Sequence, residues 1–420
     1  MAYGDLFICL VVDSYYHSGY NRLDLWLCMV EREVFMMARL GDYIEQIRGV
    51  SYKPEDICSV NDKDAIAILR ANNIQDDGLI FDDLVYVKKS KVADKQYIQK
   101  GDIVVCASSG SKSLVGKAAM ANESMLISFG AFCKIVRPKK LIPSYIGHYF
   151  QSPKYRSTIS KLAGGANINN IRNEHIDELS IEVVAEEEQI RIINELDKVS
   201  NLISLRKQQL LKLDELVKSR FVELFGECEE HKRLEEYASL ITKGASPKWQ
   251  GVDYCKDGTL FVTSENVREG YLDLSKKKHL DDRINEIQPR SILKRNDILI
   301  NIVGASIGRA AVYNCDEIAN INQAVALVRV DYSQINQTYL MTFLNSPQAI
   351  EMYGKMKKGG ARDNLSLQNI ADLQIPFAPM ELQNQFAAFV EQTDKSKLTI
   401  QKSLDQLETL KKSLMQKYFG

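Results

Sequence analysis

The chain has 420 residues, enough for two or three domains with substantial cores. Its 45% hydrophobic and 26% charged content is that of a soluble globular protein and excludes wholesale disorder, while a net charge of −1 neither demands nor excludes a nucleic-acid partner. Eight cysteines form no CxxC pair and no Cys/His cluster; this argues against a zinc site and, with no export signal, for reduced thiols in the cytoplasm.

Residues 1–37 contain the apolar run LFICLVV at 6–12, which is too short to span a bilayer and lacks a basic leader or a small-residue cleavage site. The segment matches nothing else in the chain and is expected to be an N-terminal extension. It is either poorly ordered or the product of translation upstream of a start at Met36 or Met37; a cap on the following domain is the alternative. A chain beginning at Met37 is expected to keep full activity.

From residue 38 the chain has a body, 38–185, and then a helix, 186–228; a second body, 229–378, leads into a second helix, 379–420. In the first body, DIVVC at 102–106 has the β-branched character of a buried strand, and short helices are expected near 143–162. In the second, DILINIV at 297–303 and a helical stretch near 337–357 take the same places. Both bodies are predicted to be α+β domains with a mostly antiparallel or barrel-like sheet.

The halves repeat each other. Gln189 pairs with Gln383, Leu213 with Leu407, Ser219 with Ser413 and Phe225 with Phe419 at a constant offset of 194. Earlier, RLGDYIEQI from Arg39 meets RLEEYASLI from Arg233, and GDIVV from Gly101 meets NDILI from Asn296. A period this long is not that of a solenoid; it marks a duplicated unit and a pseudo-two-fold chain.

Both helices carry apolar seams. Leu196, Ile203, Leu210 and Val217 recur every seven residues, with Leu213 between; Phe386, Ile400, Leu407 and Leu414 follow the same interval in the second copy. At about 60 Å, such helices are longer than a body of this size covers, so they are predicted to pair with each other as an antiparallel coiled coil. Packing of each helix on its own body is the alternative. Interruptions at Arg206, Arg220 and Thr393, and a stripe wider than a coiled coil needs, suggest further contact with outside proteins.

Three loops in the bodies could meet a polyanion. After the first strand comes ASSGSKSLVGKAA, with Lys112 and Lys117; after the second comes VGASIGRAA, with Arg309. Gly and Ser leave backbone N–H groups accessible, and the cations suit a phosphate or a guanine edge. A Walker loop is excluded, because Gly110 and Gly116 stand one residue too far apart and Ala118 replaces the magnesium-binding hydroxyl. A second pair of loops, KLAGGANINNIRN and KMKKGGARDNLS, offers Asn167, Asn169 and Arg172 in one body and Lys357, Lys358, Arg362 and Asn364 in the other. The third, TKGASPKWQ, groups Lys243, Ser246, Lys248 and Trp249. Any one of these lysines is ordinary solvated surface; equivalent loops on two differing bodies joined by like helices suggest a bipartite target such as double-stranded DNA.

Together, GDIVV, NDILINIVGASIGRAAV, GGANINNI, GGARDNLS and the EEQ and ELQ helix starts resemble the specificity subunits of type I restriction-modification systems, over nearly everything from Ala38 to Gly420. The resemblance implies two target recognition domains, each reading one half of a split DNA site, with helices that set the gap and dock two modification subunits. It places S-adenosylmethionine, ATP and magnesium on the modification and restriction subunits and none on this chain. No methyltransferase motif, cofactor fingerprint or Walker loop is present, so the chain is expected to be non-catalytic. The competing readings are a coiled-coil scaffold for protein partners, which near-neutral charge favours, and a nucleic-acid enzyme, which the dispersal of all five histidines disfavours.

Overall fold

The computed structural model describes residues 36–111, 113–163, 169–356 and 364–420. The described residues divide into two compact units, one within Met1–Arg206 and Ser403–Gly420 and the other within Lys207–Lys402.

In the first unit a four-stranded antiparallel sheet runs in the order Ile44–Arg48, Cys133–Pro138, Ile103–Cys106, Ala118–Met120. Its third strand is buried on both faces, because successive side chains point to opposite sides. Ile103 and Val105 enter one core with helices α1 (Pro143–Gln151) and α2 (Pro153–Leu162). Val104 and Cys106 enter another beneath a second sheet, in which Ser128–Phe129 runs parallel to Ala65–Leu69, itself antiparallel to Val85–Lys88. This sandwiching explains why DIVVC reads as a continuous apolar run and not an alternating one. Short α3 (Asn173–Asp177) precedes Ser180–Val183, which pairs with Met36–Arg39 before α4 (Glu186–Phe225) begins. The paired strand thus starts at Met36, two residues ahead of the boundary expected from the repeat.

The second unit repeats this plan. Its main sheet runs Ala238–Lys243, Val325–Val330, Ile298–Asn301, Ala310–Val312. Ile298 and Ile300 face the helical core, and Leu299 faces the other. The smaller sheet contains a parallel pairing, Thr259–Val262 with Ala319–Ile321. After short α5 (Pro247–Gln250) and α6 (Arg283–Ile287) come α7 (Gln337–Leu344), α8 (Pro347–Met356) and α9 (Leu367–Ala371). Strand Gln374–Pro376 then pairs with His231–Arg233 and leads into α10 (Met380–Phe419). The architecture is α+β with two similar domains and long helices; among the described residues the sheets are open and do not close into barrels.

GD and ND at the starts of the two central strands have a structural cause. Gly101 has φ +87° and Asn296 φ +71°, and Asn is the non-glycine residue that tolerates this region best. The turn delivers a buried aspartate. Asp102 accepts from the Gln99 amide at 2.8 Å, and Asp297 from the Lys294 amide at 2.7 Å.

Each long helix is fastened to a body at its head by one glutamine. Gln189, buried, accepts from the Ile142 amide at 2.9 Å and donates to the Val184 carbonyl at 3.0 Å. Gln383 does the same between the Asn336 amide and the Ala378 carbonyl, at 2.9 and 2.7 Å.

In the first unit Leu196 and Ile192 on the head of α4 share a core with Met415, Tyr418 and Phe419 on the tail of α10. Tyr418 also donates to Glu195. In the second unit the roles exchange: Phe386 on the head of α10 packs edge-on against Phe221 and Phe225 on the tail of α4, at centroid distances of 5.5 and 5.6 Å. Lys397 there meets Asp214 at 2.7 Å. Head against tail in each unit makes the pairing antiparallel. Of the expected seam residues, Leu196, Ile203 and Phe386 are buried, whereas Leu210, Leu213, Val217, Ile400, Leu407 and Leu414 are partly buried. Thr393 does not interrupt the seam: it is buried and its hydroxyl donates to the Phe389 carbonyl at 2.9 Å.

Candidate nucleic-acid interface

The loops singled out from sequence converge at one end of the sheets in each unit, held by the same backbone ladder. In the first unit the Ala107 amide donates to the Phe132 carbonyl at 2.8 Å, and the Ile171 amide to Ala107 at 2.8 Å. This brings the 107–110, 130–133 and 169–171 segments together, and Ser108 and Ser109 pair with Asn170 and Asn169. In the second unit Ile302 donates to Ala324 at 2.9 Å and Leu365 donates to Ile302 at 2.9 Å, and Val303 pairs with Asn364.

The third loop enters through a glycine that nothing larger could replace. A Cβ at Gly49 would lie 2.1 Å from the Gly130 carbonyl oxygen, and one at Gly244 would lie 1.7 Å from that of Ile321. The sequence marks this loop only in the second body. Its counterpart, GVSYKP at 49–54, shares the Gly, Ser and Lys of GASPKW at 244–249 but has no tryptophan to draw attention.

A fourth loop in each unit follows the parallel strand. The Arg70 amide donates to the Asn73 side chain at 2.8 Å, and the Thr263 amide to that of Asn266 at 2.9 Å, so Arg70 and Thr263 occupy one place. In the first unit the segments 50–52, 70–72, 108–110 and 130–133 surround a cleft of about 720 Å³, with Tyr52, Arg70, Asn72, Ser109 and Phe132 on its wall. Its chemistry is mixed: one guanidinium, several hydroxyls, the Asn72 amide and two aromatic rings, of which Phe132 is 68% exposed. In the second unit Trp249, on α5, is 86% exposed beside exposed Lys248. Cations, small polar groups and exposed aromatic faces at loop tips suit the edges and phosphates of a nucleic acid.

The family description "Type I restriction modification DNA specificity domain" matches twice, over residues 33–215 and 231–409. The chain belongs to that family. Among specificity subunits it is 28% identical to the EcoKI subunit of Escherichia coli K12, over 92% of this chain and 89% of that one. It is 42% identical to the StySPI subunit of Salmonella potsdam, over 41% and 37% of the two chains. Its fold is that of a chain solved in work on "complex assembly and conformational transition of the type I R-M system", at TM-score 0.58 and 16% identity over 92% and 97% of the two. It is also that of the S subunit of M. genitalium, at TM-score 0.51 and 16% identity over 93% and 97%.

Within these two specificity domains the expected contact residues differ in what the fold lets them do. Lys243, Lys248, Arg309 and Arg172 are exposed, and Lys243, Lys248 and Arg309 make no ion pair among the described residues. Asn364 is exposed at the bridge to Val303, and Asn169 lies on the short strand that meets Ser109. Ser246 caps the entry to α5, its carbonyl accepting from the Trp249 amide at 3.1 Å. Lys112, Asn167, Lys357, Lys358 and Arg362 lie outside the described residues.

Lys117 does not offer the free cation expected of it. Only 16% exposed, it donates to Gln75 at 3.1 Å and lies 3.5 Å from the Asp76 carboxylate, bracing the 74–79 hairpin. The second unit has a matching hairpin, closed by the Val267–Leu272 bridge, but it carries Arg268 where the first carries Gln75, and Arg309 stays exposed.

Arg70 escaped sequence reading, because a single arginine after an apolar strand carries no motif. It becomes visible only when the fold sets it on the cleft wall. Among the described residues no group of three or more His, Cys, Asp or Glu is placed to hold a metal, and no helix is long and apolar enough to cross a membrane.

Proposed function

We propose that the two units are separate reading heads, each recognising one half of a bipartite DNA site, with paired α4 and α10 holding the halves at a fixed gap. The observation that carries this reading is one loop scaffold built twice with different side chains. The ladder, the tight glycines and the aspartate turns match, whereas Arg70, Ser108 and Phe132 of one head stand where the other has Thr263, Val303 and Ala324. A common scaffold with unlike tips gives two unlike half-sites.

The chain supplies recognition and its partners supply chemistry. Exposed apolar residues on the long helices, such as Leu211, Leu216 and Leu398 in the second unit, offer surface on which modification subunits, two in all, dock. S-adenosylmethionine is held by those subunits, and ATP and magnesium by restriction subunits that join them, in the cytoplasm. The test is single-molecule methylation sequencing of DNA from cells that express this chain with its modification subunit. A new two-part N6-methyladenine motif with a fixed gap is expected. An assembled complex that adds no motif and binds DNA without salt dependence would instead support a protein scaffold. Inserting one helical turn after Leu205 extends the helix by about 6 Å and is expected to lengthen the gap while leaving both half-sites unchanged.

A further inference from the structure

Arg70 is fixed in place by a residue held in an uncommon conformation. Asp83 has φ +54°, one of two described non-glycine residues at positive φ, and both its carbonyl oxygen and its carboxylate accept from Arg70 Nη2, at 2.7 and 2.6 Å. Such a backbone conformation costs energy and persists where the surroundings fix it; here it aims two acceptors at one nitrogen. Nη2 therefore has both hydrogens engaged. Nε is buried with no hydrogen-bond partner, and Nη1 carries none among the described residues. The side chain, 37% exposed, lies on the cleft wall with Asn72, Ser109 and Phe132.

We propose that Arg70 is a specificity-determining residue of the first head, its Nη1 donors reading the acceptor edge of a guanine in the major groove, and that Asp83 is its positioning residue. The guanidinium is the only cation on the cleft wall among the described residues, and it has hydrogens to give and no lone pair to accept with. Guanine O6 and N7 form the densest pair of acceptors in the groove, whereas the amino groups of adenine and cytosine would meet donor with donor. Orientation by Asp83 removes the rotamer freedom that an unbraced surface arginine loses on binding. The second head has Thr263 at this place, so the preference belongs to one half-site only.

This inference rests on the DNA-reading function above, and one experiment separates the two. Motifs are determined for the complex containing wild-type chain, Arg70→Ala, Arg70→Lys and Asp83→Asn. In one half-site, a position that is guanine on one strand is expected to become degenerate in Arg70→Ala, with discrimination falling roughly ten- to a hundredfold. The other half-site and the gap stay unchanged. Asp83→Asn is expected to relax the same position less. If Arg70→Ala fails to assemble, Arg70→Lys carries the test, because it keeps the charge and loses the braced fork. An unchanged motif in every assembled variant overturns the proposal. So does uniform weakening at all sequences with a shallower salt dependence, which marks a phosphate contact. A wild-type complex with no two-part motif overturns the reading function itself.

Discussion

Arg137 closes two nitrogens on the carboxylate of Asp102, Nε at 2.7 Å and Nη2 at 2.8 Å, and Asp102 is only 1% exposed. Arg329 and Asp297 repeat the pair in the second unit, at 2.7 and 2.6 Å. Asp102 also caps the turn at Gly101, so the pair ties a sheet strand to the turn that starts its neighbour. Replacing Arg137 by Ala leaves a buried carboxylate without its counter-charge and is expected to cost about 3–5 kcal/mol. Urea unfolding of the purified chain checks this; a loss below about 1 kcal/mol would mean that water replaces the guanidinium.

Gly116 and Gly308 are each fixed twice over. Their φ values are +79° and +90°, and an added Cβ would lie 2.5 Å from Ile159 Cγ2 in one case and 2.4 Å from Tyr353 Cδ2 in the other. Alanine at either position is expected to destabilise its unit by at least about 1–2 kcal/mol from the backbone alone. Trimming the neighbour, as in Gly308→Ala with Tyr353→Leu, should not restore stability, because the backbone strain remains. Thermal melts of the single and double variants decide this.

Lys134 sets a pH dependence of the first unit. It is buried, donating to Gln46 at 3.0 Å and Asn173 at 2.8 Å, and burial pulls its pKa down to about 8, against the pull of Asp177 and Glu174 in the other direction. Between pH 8 and the ordinary lysine value of 10.5 the unfolded chain therefore binds more protons than the folded one. Stability contributed at this site must rise with pH across that window. The difference in urea midpoint between wild type and Lys134→Met, measured from pH 7.5 to 10.5, is expected to shift in favour of wild type as pH rises. A flat difference would show that Lys134 titrates alike in both states.

Gln189 and Gln383 each satisfy one amide and one carbonyl between body and helix. Gln189→Ala leaves the Ile142 amide and the Val184 carbonyl without this partner and is expected to cost about 1–3 kcal/mol. Hydrogen exchange should show faster opening at the head of α4. Unchanged protection there would place the attachment in the apolar contacts of Ile192 and Leu196 instead.

Trp249 has little to lose in the free protein. Trp249→Ala is expected to change stability by no more than about 0.5 kcal/mol, yet to weaken DNA binding by the assembled complex. Binding titrations at fixed salt, beside thermal melts, separate these effects. Unaltered affinity would remove Trp249 from the interface.

Much of this architecture can be read from the chain alone because it repeats. Local rules, a seven-residue apolar interval for the helices and β-branched runs for the strands, were enough to place α4, α10 and the two central strands, and the 194-residue offset multiplied each weak signal by two. The same reading recovered three of the loops, since Gly, Ser and Lys at a turn have local causes. What it could not supply was direction. Lys117 and Arg309 occupy one place in the repeat, yet Gln75 and Asp76 on the hairpin of the first unit hold Lys117 inward, whereas the matching hairpin of the second carries Arg268 and leaves Arg309 exposed. Arg70 carries no motif, but a parallel strand pairing and the positive φ of Asp83 set it on the cleft wall. Which cations face a ligand depends on contacts between residues far apart in sequence, which no local pattern encodes; only the packed structure decides it.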